Sequence, residues 1–166
     1  MRVAVFAVLP SAAILWAAGE VIPPLTPPLA GLKAQQIRDT FQETHNGHPH
    51  EAIDIMAPAG TPVRAVAPGS IRKLFFSKQG GNTIYQFDEA GELCYYYAHL
   101  DRYEPGLQEG MHVSAAQEIG FVGSTGNASA SAPHLHFAVM RVENPSQWWK
   151  GAYLNPYSAL MRSIQP

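Results

Sequence analysis

Apolar and polar residues alternate along Ala132-Pro133-His134-Leu135-His136-Phe137-Ala138-Val139-Met140. Leu135, Phe137 and Val139 fall on one side, and His134, His136 and Ala138 on the other. That period of two predicts a β-strand with one face on a core. Similar short runs, at residues 62–67, 70–76, 82–87, 92–98 and 118–122, recur between turn signals. Gly80-Gly81 and Glu89-Ala90-Gly91 read as hairpin turns. Many short strands with regular punctuation predict a mainly β domain, an antiparallel sheet or small barrel. Over residues 33–44 the period changes. Ile37 and Phe41, four apart, predict a short N-terminal helix. Residues 144–166 read as an irregular C-terminal tail that holds Trp148-Trp149, Asn155-Pro156-Tyr157 and a short helix ending near Arg162. Neither an internal repeat nor a second domain is evident.

Composition narrows the picture. The chain has 166 residues, enough for one core. With 14 Gly, 14 Pro, 46% hydrophobic and 14% charged residues, it is turn-rich and ordered. A formal net charge of -2 and the lack of a basic run argue against a nucleic-acid partner. The single cysteine, Cys94, excludes an intrachain disulfide. Arg2 is the only charged residue before Glu20, and residues 3–18 are apolar. Residues 1–19 therefore read either as a signal peptide, cut after Ala17-Ala18-Gly19, or as an uncleaved membrane anchor. Both readings export the domain to the periplasm or the extracellular space. Residues 20–31 form a proline-rich tether, stiff and extended. Residues 32–166 remain as the domain, expected to be a monomer.

The chemistry gathers around histidines. His134 and His136 project from the same face of a strand, roughly 7 Å apart. Two neutral imidazoles so placed suit a transition metal. His50 and Asp54 are four residues apart, about 13 Å in a straight strand. They can share one metal only if the chain turns between them. If it does, they and one imidazole of the far strand make a three-ligand site with an open position, the pattern of catalytic zinc. Spacing alone does not choose between His134 and His136 as the third ligand. Tyr97-Ala98-His99-Leu100 places another histidine at the end of an aromatic strand, where it could supply an acid/base group. His45, His48 and His112 read as solvated, and Pro49 speaks against a regular strand at His48-Pro49-His50. Cys94 reads as a packed thiol. Trp148 and Trp149 read as packing or, alternatively, as a groove wall that stacks on sugar or peptide. Ser124, Thr125 and Asn127 precede the histidine strand and are candidates for substrate contact.

Taken together, His50…Asp54, Tyr97-Ala98-His99-Leu100 and Pro133-His134-Leu135-His136-Phe137 resemble the motifs of the lysostaphin-type (LytM-like) zinc metallopeptidases. The resemblance extends through Asp54-Ile55-Met56-Ala57-Pro58-Ala59-Gly60-Thr61-Pro62-Val63 and the glycine-rich approach Ile119-Gly120-Phe121-Val122-Gly123-Ser124-Thr125-Gly126. It covers roughly residues 37–142. It implies a compact antiparallel barrel-sandwich like a duplicated hybrid motif, and an endopeptidase for the peptide cross-links of bacterial peptidoglycan. By the same resemblance, His50, Asp54 and His136 would bind one zinc per chain, while His99 and His134 would be catalytic. One of these two would take a proton from the attacking water and the other would donate; His134 is favoured as base.

Two positions depart from the family pattern. Ala52 stands where a glycine is frequent, a cost on the order of 1 kcal/mol if that turn needs a positive φ. Thr44-His45-Asn46 replaces a region where some members carry an oxyanion-steadying tyrosine. Two other functions compete with this one. A non-catalytic cell-wall-binding or hydrolase-activator module on the same fold would typically lack ligands that this chain keeps. A biotinyl- or lipoyl-type carrier needs a lysine at a hairpin tip, a setting that Lys73 and Lys78 lack.

Overall fold

The computed structural model describes residues 22–45 and 47–165. Its strands, in chain order, are β1 (Thr44–His45), β2 (His48–Pro49), β3 (Ile53–Met56), β4 (Pro62–Arg64), β5 (Gly69–Ser77), β6 (Gly81–Asp88), β7 (Leu93–Tyr103), β8 (His112–Val113), β9 (Glu118–Val122), β10 (His134–Val142) and β11 (Gly151–Leu154). Helix α1 (Tyr157–Ser163) follows. β1 and β2 make a small ribbon of their own; the others form one antiparallel sheet, as the alternation predicts.

Two strands organise that sheet. β10 pairs with β7 along one edge; along the other it pairs first with β3 and then with β11. β7 pairs with β6 on one side, and with β10 and then β9 on the other. Sharing an edge between two partners bends the sheet over its apolar face. Inside lie Ile53, Ile55, Ile84, Tyr97, Leu100, Leu135 and Phe137, all fully buried. The Tyr97 hydroxyl donates to Gln86 Oε1 at 2.8 Å and accepts from the Val66 amide at 3.0 Å, so its burial leaves no polar atom unpaired. A second apolar cluster, Phe87, Cys94 and Met140 with Tyr85, Tyr96 and Trp148 against it, occupies the opposite face.

Three expectations change. The helix predicted over residues 33–44 shrinks to a 3₁₀ turn at Ala34–Gln36. Its apolar positions are placed as expected, with Ile37 buried and Phe41 against the core. The backbone beyond is diverted by short polar side chains: Asp39 Oδ1 accepts from the Phe41 amide, and Thr40 Oγ1 donates to the Ala52 carbonyl. The tail is more regular than predicted, because β11 pairs with the end of β10; its helix ends near Arg162 as read. The proline-rich stretch is extended but does not hang free. Ile22, Leu25 and Leu29 are in the core, and the amides of Thr26 and Arg64 donate to the carbonyls of Val66 and Pro28. Residues 1–19, read as signal peptide or anchor, lie outside the described residues. Among the described residues no helix is long and apolar enough to cross a membrane.

Candidate metal centre

The pairing of β3 with β10 sets Asp54 directly opposite His136 and Met56 opposite His134. His50 reaches the same point because the chain turns at Glu51, whose φ is 55°. This is the turn that the His50–Asp54 spacing required. Ala52 is fully buried and is not among the positive-φ residues, so the anticipated glycine penalty does not arise there. Thr40 secures the turn from below. Its carbonyl accepts from His50 Nδ1 at 3.0 Å and its hydroxyl accepts from the Asp54 amide at 3.2 Å.

His50 Nε2, His136 Nδ1 and Asp54 Oδ1 form a triangle with sides of 3.1 Å. A tetrahedral ion with bonds of 2.0–2.1 Å would set its ligand atoms about 3.3 Å apart. The three donors thus fit one small ion on their open side, and two imidazoles with a carboxylate suit a transition metal. Among the described residues this group can hold a metal ion. The Nδ1–H of His50 is committed to Thr40, which leaves Nε2 as the atom it can offer a metal.

His134 and His99 flank the triangle. His134 donates Nδ1–H to the Ala132 carbonyl at 2.9 Å, and its Nε2 lies 3.8 Å from Asp54 Oδ1. The His99 ring sits 4.9 Å from that of His134 and 5.5 Å from that of His136, centroid to centroid. A regular strand would send His99 to the core with Tyr95 and Tyr97. It does not, because the register with β6 slips between Asn82 and Ile84 and His99 takes a φ of 59°. This bulge turns the imidazole to the site, while Leu100 returns to the core. The Thr125 carbonyl accepts from His99 Nδ1 at 2.9 Å, and the Gly80 carbonyl accepts from its amide at 2.8 Å.

The charges are interdependent. Burial works against an ionised Asp54, yet hydrogen bonds from His136 and His50 prevail and hold its carboxyl well below the usual carboxylate range. Burial also opposes charge on His50, but Asp54 outweighs it and the pKa is raised. His136 is lowered, because there burial outweighs the same carboxylate. Burial pushes His99 down to about 4, aided by the neighbouring imidazoles.

A cavity of about 430 Å³ adjoins the site on the β3 side, bordered by Asp54, Met56, Gln35 and Arg38, with Arg38 paired to Glu43 at 3.2 Å. On the β7 side Tyr96 meets His136, ring centroids 6.0 Å apart. Other candidates stand apart. His48 is exposed in the β1–β2 ribbon, and His112 faces Glu89 at the surface. Cys94 is buried, its thiol pushed up by burial. Thr125 acts through its carbonyl. The Thr40, Thr125 and Ala132 carbonyls that orient three imidazoles went unforeseen, since any residue type carries a carbonyl.

Residues 48–156 match peptidase family M23. Lysostaphin of Staphylococcus simulans is 40% identical over 96 residues, which is 57% of this chain and 19% of that protein. The solved catalytic domain of that peptidase superposes with a TM-score of 0.60 at 31% identity, covering 83% of this chain and 89% of the domain. The L-Ala–D-Glu endopeptidase of Bacillus subtilis (strain 168) is 31% identical over 104 residues, 60% of this chain and 32% of that protein. The peptidoglycan DD-endopeptidase ShyC of Vibrio cholerae is 33% identical over 88 residues, 53% of this chain and 19% of that protein. The matched part of the chain thus spans a fifth to a third of these curated relatives.

Proposed function

The chain belongs to peptidase family M23, and from that premise we propose that it is a zinc-dependent endopeptidase acting on the peptide cross-links of bacterial peptidoglycan. The observation that carries this reading is the 3.1 Å triangle of His50 Nε2, Asp54 Oδ1 and His136 Nδ1. These three residues would hold the zinc. Zinc bound there supplies Lewis acidity, which makes water a nucleophile near neutral pH and polarises a carbonyl.

The remaining steps belong to the protein. His134, its Nδ1–H fixed on Ala132, presents Nε2 beside Asp54 as the acceptor for the proton of the attacking water. As the water oxygen bonds to the scissile carbon and the C–N bond breaks, a proton must reach the leaving nitrogen. The proton that His134 takes from the water is the one delivered there, and His99, whose ring centroid lies 4.9 Å from that of His134, is the group that hands it to the nitrogen. Water thus supplies both the new oxygen of the carboxylate and the new proton of the amine. That all five side chains are present and converge argues against the non-catalytic module.

The test is digestion of purified cross-linked muropeptides by the metal-loaded protein, with and without a chelator, read by mass spectrometry. Cross-linked dimers should convert to monomers, cleavage should stop with chelator, and added zinc should restore it. Undiminished cleavage in chelator would sink the metal assignment, and intact dimers with loaded enzyme would sink the substrate class. Wall peptides lie outside the cytoplasm, so export through residues 1–19 is part of the proposal. N-terminal sequencing of exported protein should find Glu20 first if the segment is a signal peptide, and Met1 in a membrane fraction if it is an anchor.

A further inference from the structure

The apolar cluster on the outer face of the sheet begins at the metal centre. Register places Ala138, Tyr96 and Tyr85 side by side on β10, β7 and β6, on the face that carries His136. From His136 the rings continue without a break. Tyr96 meets Tyr85 at 4.7 Å, and Tyr85 meets Trp148 at 4.7 Å. Trp148 in turn meets Phe75 at 5.6 Å and Trp149 at 5.1 Å. The far end is open to solvent, with Trp149 53% and Phe75 41% exposed. Packing explains Trp148, which covers Tyr85. It does not explain two large rings left exposed at the end of a row that starts at the site.

We propose that this aromatic row is a saccharide-binding subsite that stacks on the sugar backbone of peptidoglycan while the cross-link peptide lies across the metal centre. The inference rests on the peptidoglycan reading above, and three observations choose sugar over peptide. A pyranose presents a face of C–H bonds and a rim of hydroxyls, which match ring faces with neutral polar tips such as the tyrosine hydroxyl and the indole N–H. The two flanks of the site differ in charge. The β3 side carries Arg38, paired with Glu43, beside Asp54. The rings of the β7 side are neutral, as is the sugar backbone. Lastly, peptide and sugar are covalently joined, so a surface continuous with the metal centre is where the sugar of a bound peptide arrives.

The experiment uses the metal-loaded protein and three probes: peptide-free glycan strands, glycan-linked cross-links and glycan-free peptide dimers. Wild type should bind peptide-free glycan by calorimetry. Trp149→Ala and Phe75→Ala, both at exposed positions, should each weaken that binding about tenfold. They should raise KM on glycan-linked cross-links by a similar factor at unchanged kcat, and leave kcat/KM on glycan-free dimers as in wild type. Thermal melts establish that the variants fold. No binding of peptide-free glycan by wild type overturns the proposal. So does an equal loss on both cleavable substrates, which would assign the row to peptide. Self-association of wild type that the variants abolish, seen by sedimentation, would assign it to a second copy of the chain and overturn the proposal as well. Glycan binding through the row without any peptide cleavage would instead refute the peptidase reading and leave the subsite standing.

Discussion

At the scale of single residues, the proposed mechanism gives five polar side chains two kinds of role. Asp54 Oδ1 is the corner shared by His50 and His136, 3.1 Å from each. Asp54→Ala should therefore lose zinc and activity together. His99→Ala and His134→Ala should keep zinc while turnover falls about 10²- to 10⁴-fold. Zinc content and cleavage rate measured on the same preparations decide it: a His134→Ala protein as metal-free as Asp54→Ala would make His134 a ligand. Acidity should act through His50. Its pKa in the metal-free protein lies above 6.5, and zinc needs its Nε2 unprotonated. Zinc affinity should be full well above that pKa and begin to fall, as pH drops, before 6.5 is reached. Competition titrations against a chelator across a pH series would show this, and a flat profile down to 6.5 would contradict it.

At the scale of elements, the site depends on one loop held against one hairpin. The loop carrying Thr125 rests on the β5–β6 turn so closely that a Cβ on Gly126, whose φ is 76°, would drive into the Gln79 carbonyl and the Gly81 amide. Thr125 Oγ1 ties the two together by donating to the Leu100 carbonyl at 2.6 Å and accepting from the Asn82 amide at 3.0 Å. Gly126→Ala should shift the Thr125 carbonyl, and with it His99. The expected cost is about 1–3 kcal/mol of stability. Turnover should fall at least about tenfold while zinc stays bound, because none of the three proposed ligands rests on this loop. A wild-type rate in the folded variant would show that the loop does not position His99.

For the molecule as a whole, the stretch from Ile22 to Leu32 is part of the folded unit. Leu29 is 3% exposed and bridges to Val63. Leu29→Ala should cost about 2–4 kcal/mol and lower the thermal midpoint without changing zinc content or KM. An unchanged midpoint would mean that the stretch is only laid on the surface. The consequence for export is geometric: whatever residues 1–19 do, the core begins only a few residues after them.

Much of this protein was legible in its sequence. Alternation placed β5, β6, β7, β9 and β10, because a residue's side of a strand follows from its parity alone. The ligand types and their spacing pointed to a metal, and the demand for a turn between His50 and Asp54 was met at Glu51. Tertiary structure decided what parity and composition do not encode. Bringing β3 beside β10 joined residues more than 80 positions apart into one triangle, since register is set by which strands meet. A bulge reversed the face of His99, against its parity. Asp39 caught the amide of Phe41 two residues on, Thr40 found backbone and side-chain partners outside its own segment, and an expected helix gave way to the turn that holds His50. The carbonyls that orient His50, His99 and His134 belong to the backbone, whose direction only the folded chain sets.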